Sequence, residues 1–448
     1  SMDAGAFGNR LGMDEAYRFA RGETVTSSTG VKARLSRPLD FCVLSDHSDG
    51  MGFFQMLQEG DPLVMSEELG RKWNKMLKEG KGVDVSLELI GLFSQGQLPW
   101  QTNDPRMMKP VWRSIVEAAE RYNDPGRFTA FIGYEWTSLI KGNNLHRVVI
   151  YRDDGDKAGR TLPFTNADSS DPRELWKALA AYEDKTGGSI QAIPHNGNLS
   201  NGMMFPLQAV DGTGIDTAYA ETRARWEKIY EVTQIKGDGE AHPLLSPDDE
   251  FADYETWDVG NLDLSQKKTD DMLPHEYMRS ALKLGLEQGA KLGTDPFQLG
   301  MIGSTDSHTS LPAVEEESFF GKHAGSEPQP ERWQHPFMKN DNGVIMGWQE
   351  VASGFAAVWA RENTRASIFD AMERRETYAT TGSRMLVRFF GGYDFLPEHT
   401  RSRIPADIGY ELGVPMGGEL GEAKAGKAPT FLVAALKDPI GANLDRIQ

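Results

Sequence analysis

Cysteine is almost absent from this chain: Cys42 is the only one in 448 residues. An internal disulfide is therefore excluded, and so is a cation site built on several thiolates. Long apolar runs are also missing, and no stretch approaches the roughly 18 residues that a membrane-crossing helix needs. Positive charge is scarce, with 48 Lys and Arg against 66 Asp and Glu and a net charge of −18. That sign disfavours nucleic acid and anionic membranes as main partners, because phosphate backbones are held by basic stripes. There is no phosphate-cradling Gly-x-x-x-x-Gly-Lys-Ser/Thr and no Gly-x-Ser-x-Gly, so P-loop nucleotide hydrolysis and a serine triad have nothing to rest on. No targeting segment is visible. The sequence opens on Ser1-Met2-Asp3-Ala4, and the expectation is that the natural N-terminus lies upstream.

What the chain does have is enough apolar material for a large core, 39% hydrophobic and 10% aromatic. A short unit recurs: an apolar strand, a polar turn carrying His, Asp or Glu, then a helical pattern. Strands are expected at 41–45, 128–134, 146–151, 189–193, 228–233 and 298–303. Their nearly continuous apolar runs suit strands covered on both faces. Between them, "SSDPRELWKALAAYED" offers Asp171 as a cap, Pro172 in the first turn, and Leu175, Leu179 and Tyr182 on one face. "LPHEYMRSALKLGLEQGAKLG" places Met278, Leu282 and Leu286 on one stripe. "NTRASIFDAMERRE" presents Ile368, Phe369 and Met372 after a cap at Asn363 or Thr364. Such alternation argues for parallel strands joined by helical crossovers, an α/β barrel over residues 1–380. Residues 55–125 read as a helical insertion, about 310–345 as a loop insertion, and 381–448 as a small β-rich extension.

The strand ends carry the chemistry. "FCVLSDHSDG" ends in Asp46 and His47, "FTAFIGYEW" in Glu135, and "NNLHRVVIY" opens on His146-Arg147. "SIQAIPHNGN" gives His195, "EKIYEVTQ" gives Glu231, and "LGMIGSTDSHTS" gives Asp306 and His308. One His after a strand is ordinary. Four of the nine histidines within a residue or two of a strand end, in company with the carboxylates that end other strands, form a pattern, because barrel chemistry is assembled at one end of the strands. Imidazoles with carboxylates and no thiolate suit zinc, manganese or iron.

In this order the motifs resemble the polymerase-and-histidinol-phosphatase (PHP) superfamily. "FGNRLGMDEAYRFARGE", "AVWARENTRASIFDAMERRETYATTGSR" and "GANLDRIQ" more closely resemble the domain of unknown function 3604 family, taken as a branch of that superfamily. The resemblance implies a distorted (β/α)7 barrel and two or three divalent ions that hydrolyse phosphoesters through a metal-bridged hydroxide. It implies metal ligation by Asp3, His47, Glu135 (bridging), His146, His195, Asp306 and His308. The superfamily's first motif opens with a His-any-His pair that this sequence, starting inside the motif, does not contain. Asp46 is expected to orient His47 or a bound water, and Glu231 to act as a further ligand or a general base. Arg147, Asn198 and Arg384 are expected to contact a small anionic substrate. The same centre would also suit amides, lactones or other esters, and an impaired centre would leave a metal-binding barrel without turnover.

Overall fold

The computed structural model describes residues 2–97, 103–423 and 426–448. The apolar runs form β1 (Phe41–Val43), β2 (Thr129–Phe131), β3 (Gly133–Trp136), β4 (Arg147–Tyr151), β5 (Ile190–Pro194), β6 (Ile229–Gln234) and β7 (Gly300–Gly303). β1 runs parallel to β2, with Cys42 opposite Ala130. A bridge between His47 and Glu135 carries the same direction into β3. A second parallel bridge, His195 to Glu231, joins β5 to β6, and β6 is parallel to β7.

One strand departs from the expected parallel order. β4 is antiparallel to both β3 and β5. The cause is local: residues 137–146 form no helix, only a tight ladder of Leu139–Ile140 against Asn143–Asn144. A connection that short returns the chain alongside β3 in the opposite sense. Beyond β7 an antiparallel pair, β8 (Phe355–Val358) and β9 (Thr377–Thr380), continues the row. The strands fall into separate short sheets, with no closed barrel among the described residues. β1 pairs only with β2, and β8 only with β9, among those residues. A cleft of about 670 Å³ is lined by residues of both edges, together with the strand-end residues Asp46, His47, Glu135, Glu231, Asp306 and His308.

Both strand faces are covered, which accounts for the unbroken apolar runs. Alternation sends Ala130, Ile132, Val149, Tyr151 and Ala192 outward, where they pack with Trp112, Leu175, Trp176 and Leu179 of the flanking helices. The other face carries Phe131, Ile150, Ile193, Ile229 and Ile302 into a second core with Ile368, Phe369 and Met372. Cys42 is only half-buried and lines the cleft.

The helices that place the site are α1 (Met2–Ala6), α2 (Pro105–Tyr122), α3 (Pro172–Thr186), α4 (Thr217–Trp226), α5 (Met278–Leu292) and α6 (Arg365–Glu373). Asp171 caps α3 by accepting the Arg173 N–H at 2.9 Å. Of the two candidate caps for α6, Thr364 serves, accepting the Ser367 N–H at 3.2 Å. Asn363 instead ties β2 to its neighbours through Thr129 and the Asp40 carbonyl. On α5 the expected stripe is displaced: Leu286 is 72% exposed, and the buried side is Met278, Ala281, Gly285 and Gln288. Asp295 presses so closely on Gly285 that a Cβ there would meet its Oδ1 at 2.2 Å. Close packing at small residues, not the leucine row, sets that face.

Residues 53–94 are helical and build a core of their own around Phe53, Phe54, Leu57, Trp73 and Leu89. Residues 98–102 of the expected helical insertion lie outside the described residues. Near the C-terminus, β10 (Leu386–Gly392) is flanked by β11 (Gly413–Pro415) and β12 (Thr430–Leu436), both antiparallel to it.

Candidate metal centre

Glu135, next to the last residue of β3, has its carboxylate buried, 4% exposed, among three imidazoles. Its Oε1 is 2.8 Å from His146 Nδ1 and 3.0 Å from His195 Nε2, and its Oε2 is 3.5 Å from His47 Nδ1. Backbone pairing fixes these positions. The Glu135 N–H donates to the Asp46 carbonyl, and the His195 N–H to the His146 carbonyl. The imidazoles outweigh the cost of burying the Glu135 carboxyl and hold it well below the usual carboxylate range.

Asp3 joins from α1. Its Oδ2 is 3.1 Å from His47 Nε2 and 2.6 Å from His308 Nε2. The other face of each ring is engaged: Thr137 Oγ1 lies 2.6 Å from His47 Nδ1, and the Asp306 carbonyl 3.0 Å from His308 Nδ1. A carbonyl oxygen only accepts, so His308 Nδ1 carries a proton and Nε2 faces the carboxylate. Burial opposes charge on His47, but Glu135 and Asp3 outweigh it and raise the ring to about 9. Burial dominates at His146, which falls to about 4.

Two sets of side chains bring their donor atoms within 4.8 Å of one another and share His47: Asp3, His47 and His308, and His47, Glu135 and His146. Three buried polar atoms here have no hydrogen-bond partner, His146 Nε2, His195 Nδ1 and Glu231 Oε1. Oxygen and imidazole donors converging with lone pairs to spare fit a borderline divalent cation. Glu231, 6% exposed, lines the same cleft, and burial with help from Asp306 and Glu135 raises its carboxyl to about 7. Asp46 lines the cleft too.

Asp306 sits at φ +47°, a left-handed conformation that is uncommon for a residue with a side chain, and Asn196, next to His195, sits at φ +52°. Gln234 clamps both: its amide donates to Asn196 Oδ1 and, at 2.7 Å, to Asp306 Oδ2. The same Oδ2 takes the ammonium groups of Lys236 and Lys322, each at 2.7 Å. The sequence reading missed Gln234, Lys236, Lys322 and Thr137. Lys236 follows a strand end and so had a positional signal. Lys322 comes from the 310–345 loop, where no pattern marks it.

Of three expected substrate contacts, Arg147 and Asn198 lie outside the cleft lining and Arg384 lies within it. Arg147 follows His146 by one residue, so it points to the opposite face of its strand. There it is 1% exposed, paired with Glu227 at 3.0 Å and donating to the Leu145 carbonyl. Asn198, also 1% exposed, spends its amide on the Lys236 and Trp257 carbonyls. Arg384 does line the cleft, but its guanidinium donates to the Pro38 and Arg37 carbonyls at 2.7 and 2.9 Å.

A family model described as "Protein of unknown function (DUF3604)" matches residues 1–448. No curated protein and no solved structure is matched.

Proposed function

Since the chain belongs to the DUF3604 family, whose description names no activity, we propose from the site itself that it is a metal-dependent hydrolase acting on phosphoesters. The observation that carries this is the Glu135 carboxylate in contact with His47, His146 and His195 at once. A buried carboxylate among three imidazoles, one of which, His47, also faces Asp3, is costly as mere packing and economical as a cation site. In this reading the family is a branch of the PHP superfamily with its distorted (β/α)7 barrel, and the motif order is what supports that.

Asp3, His47, Glu135, His146 and His308 would hold divalent zinc, manganese or iron, two or three ions in all, with His195 and Asp306 alongside. Such ions would supply Lewis acidity and acidify a water molecule for attack on phosphorus. The chain's own residues do the rest. Thr137 and the Asp306 carbonyl fix the ring orientations of His47 and His308. Glu231, buried with Oε1 unpartnered and lining the cleft, is placed to take a proton from the attacking water and return one to the leaving oxygen. Asp46, beside His47, lines the route by which substrate reaches them.

The test is elemental analysis of the full protein purified without chelator, followed by a panel of phosphomonoesters and phosphodiesters beside amides, lactones and carboxyl esters. Bound metal with phosphoester turnover is the expected result. Absence of stoichiometric metal would end the reading, and turnover confined to amides or lactones would replace its substrate.

A further inference from the structure

Two ammonium groups converge on one oxygen of Asp306, with Asp3 and Glu135 also close enough to act on Lys236. Lys236 Nζ and Lys322 Nζ both lie 2.7 Å from its Oδ2, and Lys322 also donates to its backbone carbonyl at 2.7 Å. The two lysines are 6% and 2% exposed. They arrive from unrelated parts of the chain, one just past β6 and one from the long loop after β7. An ammonium group offers no lone pair and cannot ligate a cation. Beside a metal centre it repels the ions that the carboxylates are there to hold, at short range and with little solvent screening. Two of them buried at one carboxylate therefore weaken metal binding unless they serve a ligand of opposite sign.

Resting on the hydrolase reading, we propose that Lys236 and Lys322 are substrate-binding residues that grip the non-bridging oxygens of a dianionic phosphomonoester. When Asp306 turns an oxygen to a cation, the two ammonium groups that share Oδ2 become available to an anion beside it. A phosphomonoester presents three equatorial oxygens and two charges, which gives each lysine an oxygen with the metal side still served. A neutral lactone or amide offers nothing to either lysine, and a phosphodiester offers a single charge. Arg147, Asn198 and Arg384 are committed to other partners, so the anion-binding role passes to residues the sequence did not mark.

The probe is inorganic phosphate, titrated calorimetrically into manganese-loaded full protein, with metal content measured on the same samples. Lys236→Met and Lys322→Met are each expected to weaken phosphate at least tenfold with bound manganese unchanged, and Lys→Arg at either position to recover most of the affinity. In turnover of a phosphomonoester the loss should fall on KM. Lys322→Met keeps Asp306 paired with Lys236, so it carries the test if the other variant does not fold. Phosphate affinity within twofold of wild type in Lys322→Met would overturn the proposal, as would loss of manganese in that variant. The two readings separate cleanly. Lysine-dependent phosphate binding without any ester hydrolysis sinks the enzyme and spares the lysines, and hydrolysis with lysine-independent phosphate binding does the reverse.

Discussion

His195 and Glu135, sixty residues apart in sequence, meet at 3.0 Å between Nε2 and Oε1. Glu135 takes a second imidazole, His146, on the same oxygen. Glu135→Gln keeps the volume and removes the charge that holds these rings. Bound metal is expected to fall by at least one ion and hydrolysis by more than about a hundredfold, beyond the scale of losing a ligand's supporting partner. Elemental analysis beside circular dichroism checks it; normal metal content in a folded variant would exclude Glu135 from ligation.

Gln234 reaches both Asn196 and Asp306, the two left-handed residues of the centre. Gln234→Leu removes that clamp and leaves every expected ligand in place. Metal affinity is expected to weaken by about 10- to 100-fold with the fold retained. Competition against a fluorescent chelator measures it, and an unchanged affinity would show that the lysines alone position Asp306.

Arg147 belongs to the framework. Its guanidinium shares the buried Glu227 with Arg223, and Trp176 Nε1 donates to the same carboxylate at 3.0 Å. Glu227 would keep Arg223 and Trp176 but lose one buried, charged hydrogen-bond partner, so Arg147→Met should cost about 1–3 kcal/mol of stability. Urea unfolding reads that cost. A variant of wild-type stability that has lost phosphomonoester affinity would return Arg147 to the substrate side.

Asp238 gives a pH test away from the metal ligands. Burial raises its carboxyl to about 7, against about 3.9 in an unfolded chain. Between those values the folded state keeps its proton while the unfolded state loses it, so this contribution to stability is lost as pH rises from about 4 to 7. Asp238→Asn keeps one acceptor oxygen for the N–H groups of Glu240 and Ala241, which the two carboxylate oxygens now share, and it does not titrate. Its melting temperature should therefore fall less over that range than the wild type's. Parallel profiles would mean that Asp238 is ionised throughout.

Chelation gives the last expectation. Ions that bind only the folded chain stabilise it by about 2.7 kcal/mol at a hundredfold excess over Kd. Stripping them should lower the melting temperature, and manganese or zinc should restore it. A melting temperature indifferent to chelator would leave no role for metal in the fold.

The sequence by itself determined the strand positions, because a segment covered on both faces must read as a continuous apolar run, and Phe131, Ile150, Ile193 and Ile302 fill the inner core as that reading requires. It also marked His47, Glu135, His146, His195, Asp306 and His308, because a charged group directly after such a run is conspicuous. Only the tertiary structure decided which strand runs backwards, since the sense of β4 depends on a connection too tight for a helix. The tertiary structure alone also turned Arg147 away from His146, and carried Lys322 from a loop without periodicity to Asp306. Local pattern records what each residue avoids or seeks along its own element, whereas long-range pairing is settled by which elements come to share a surface.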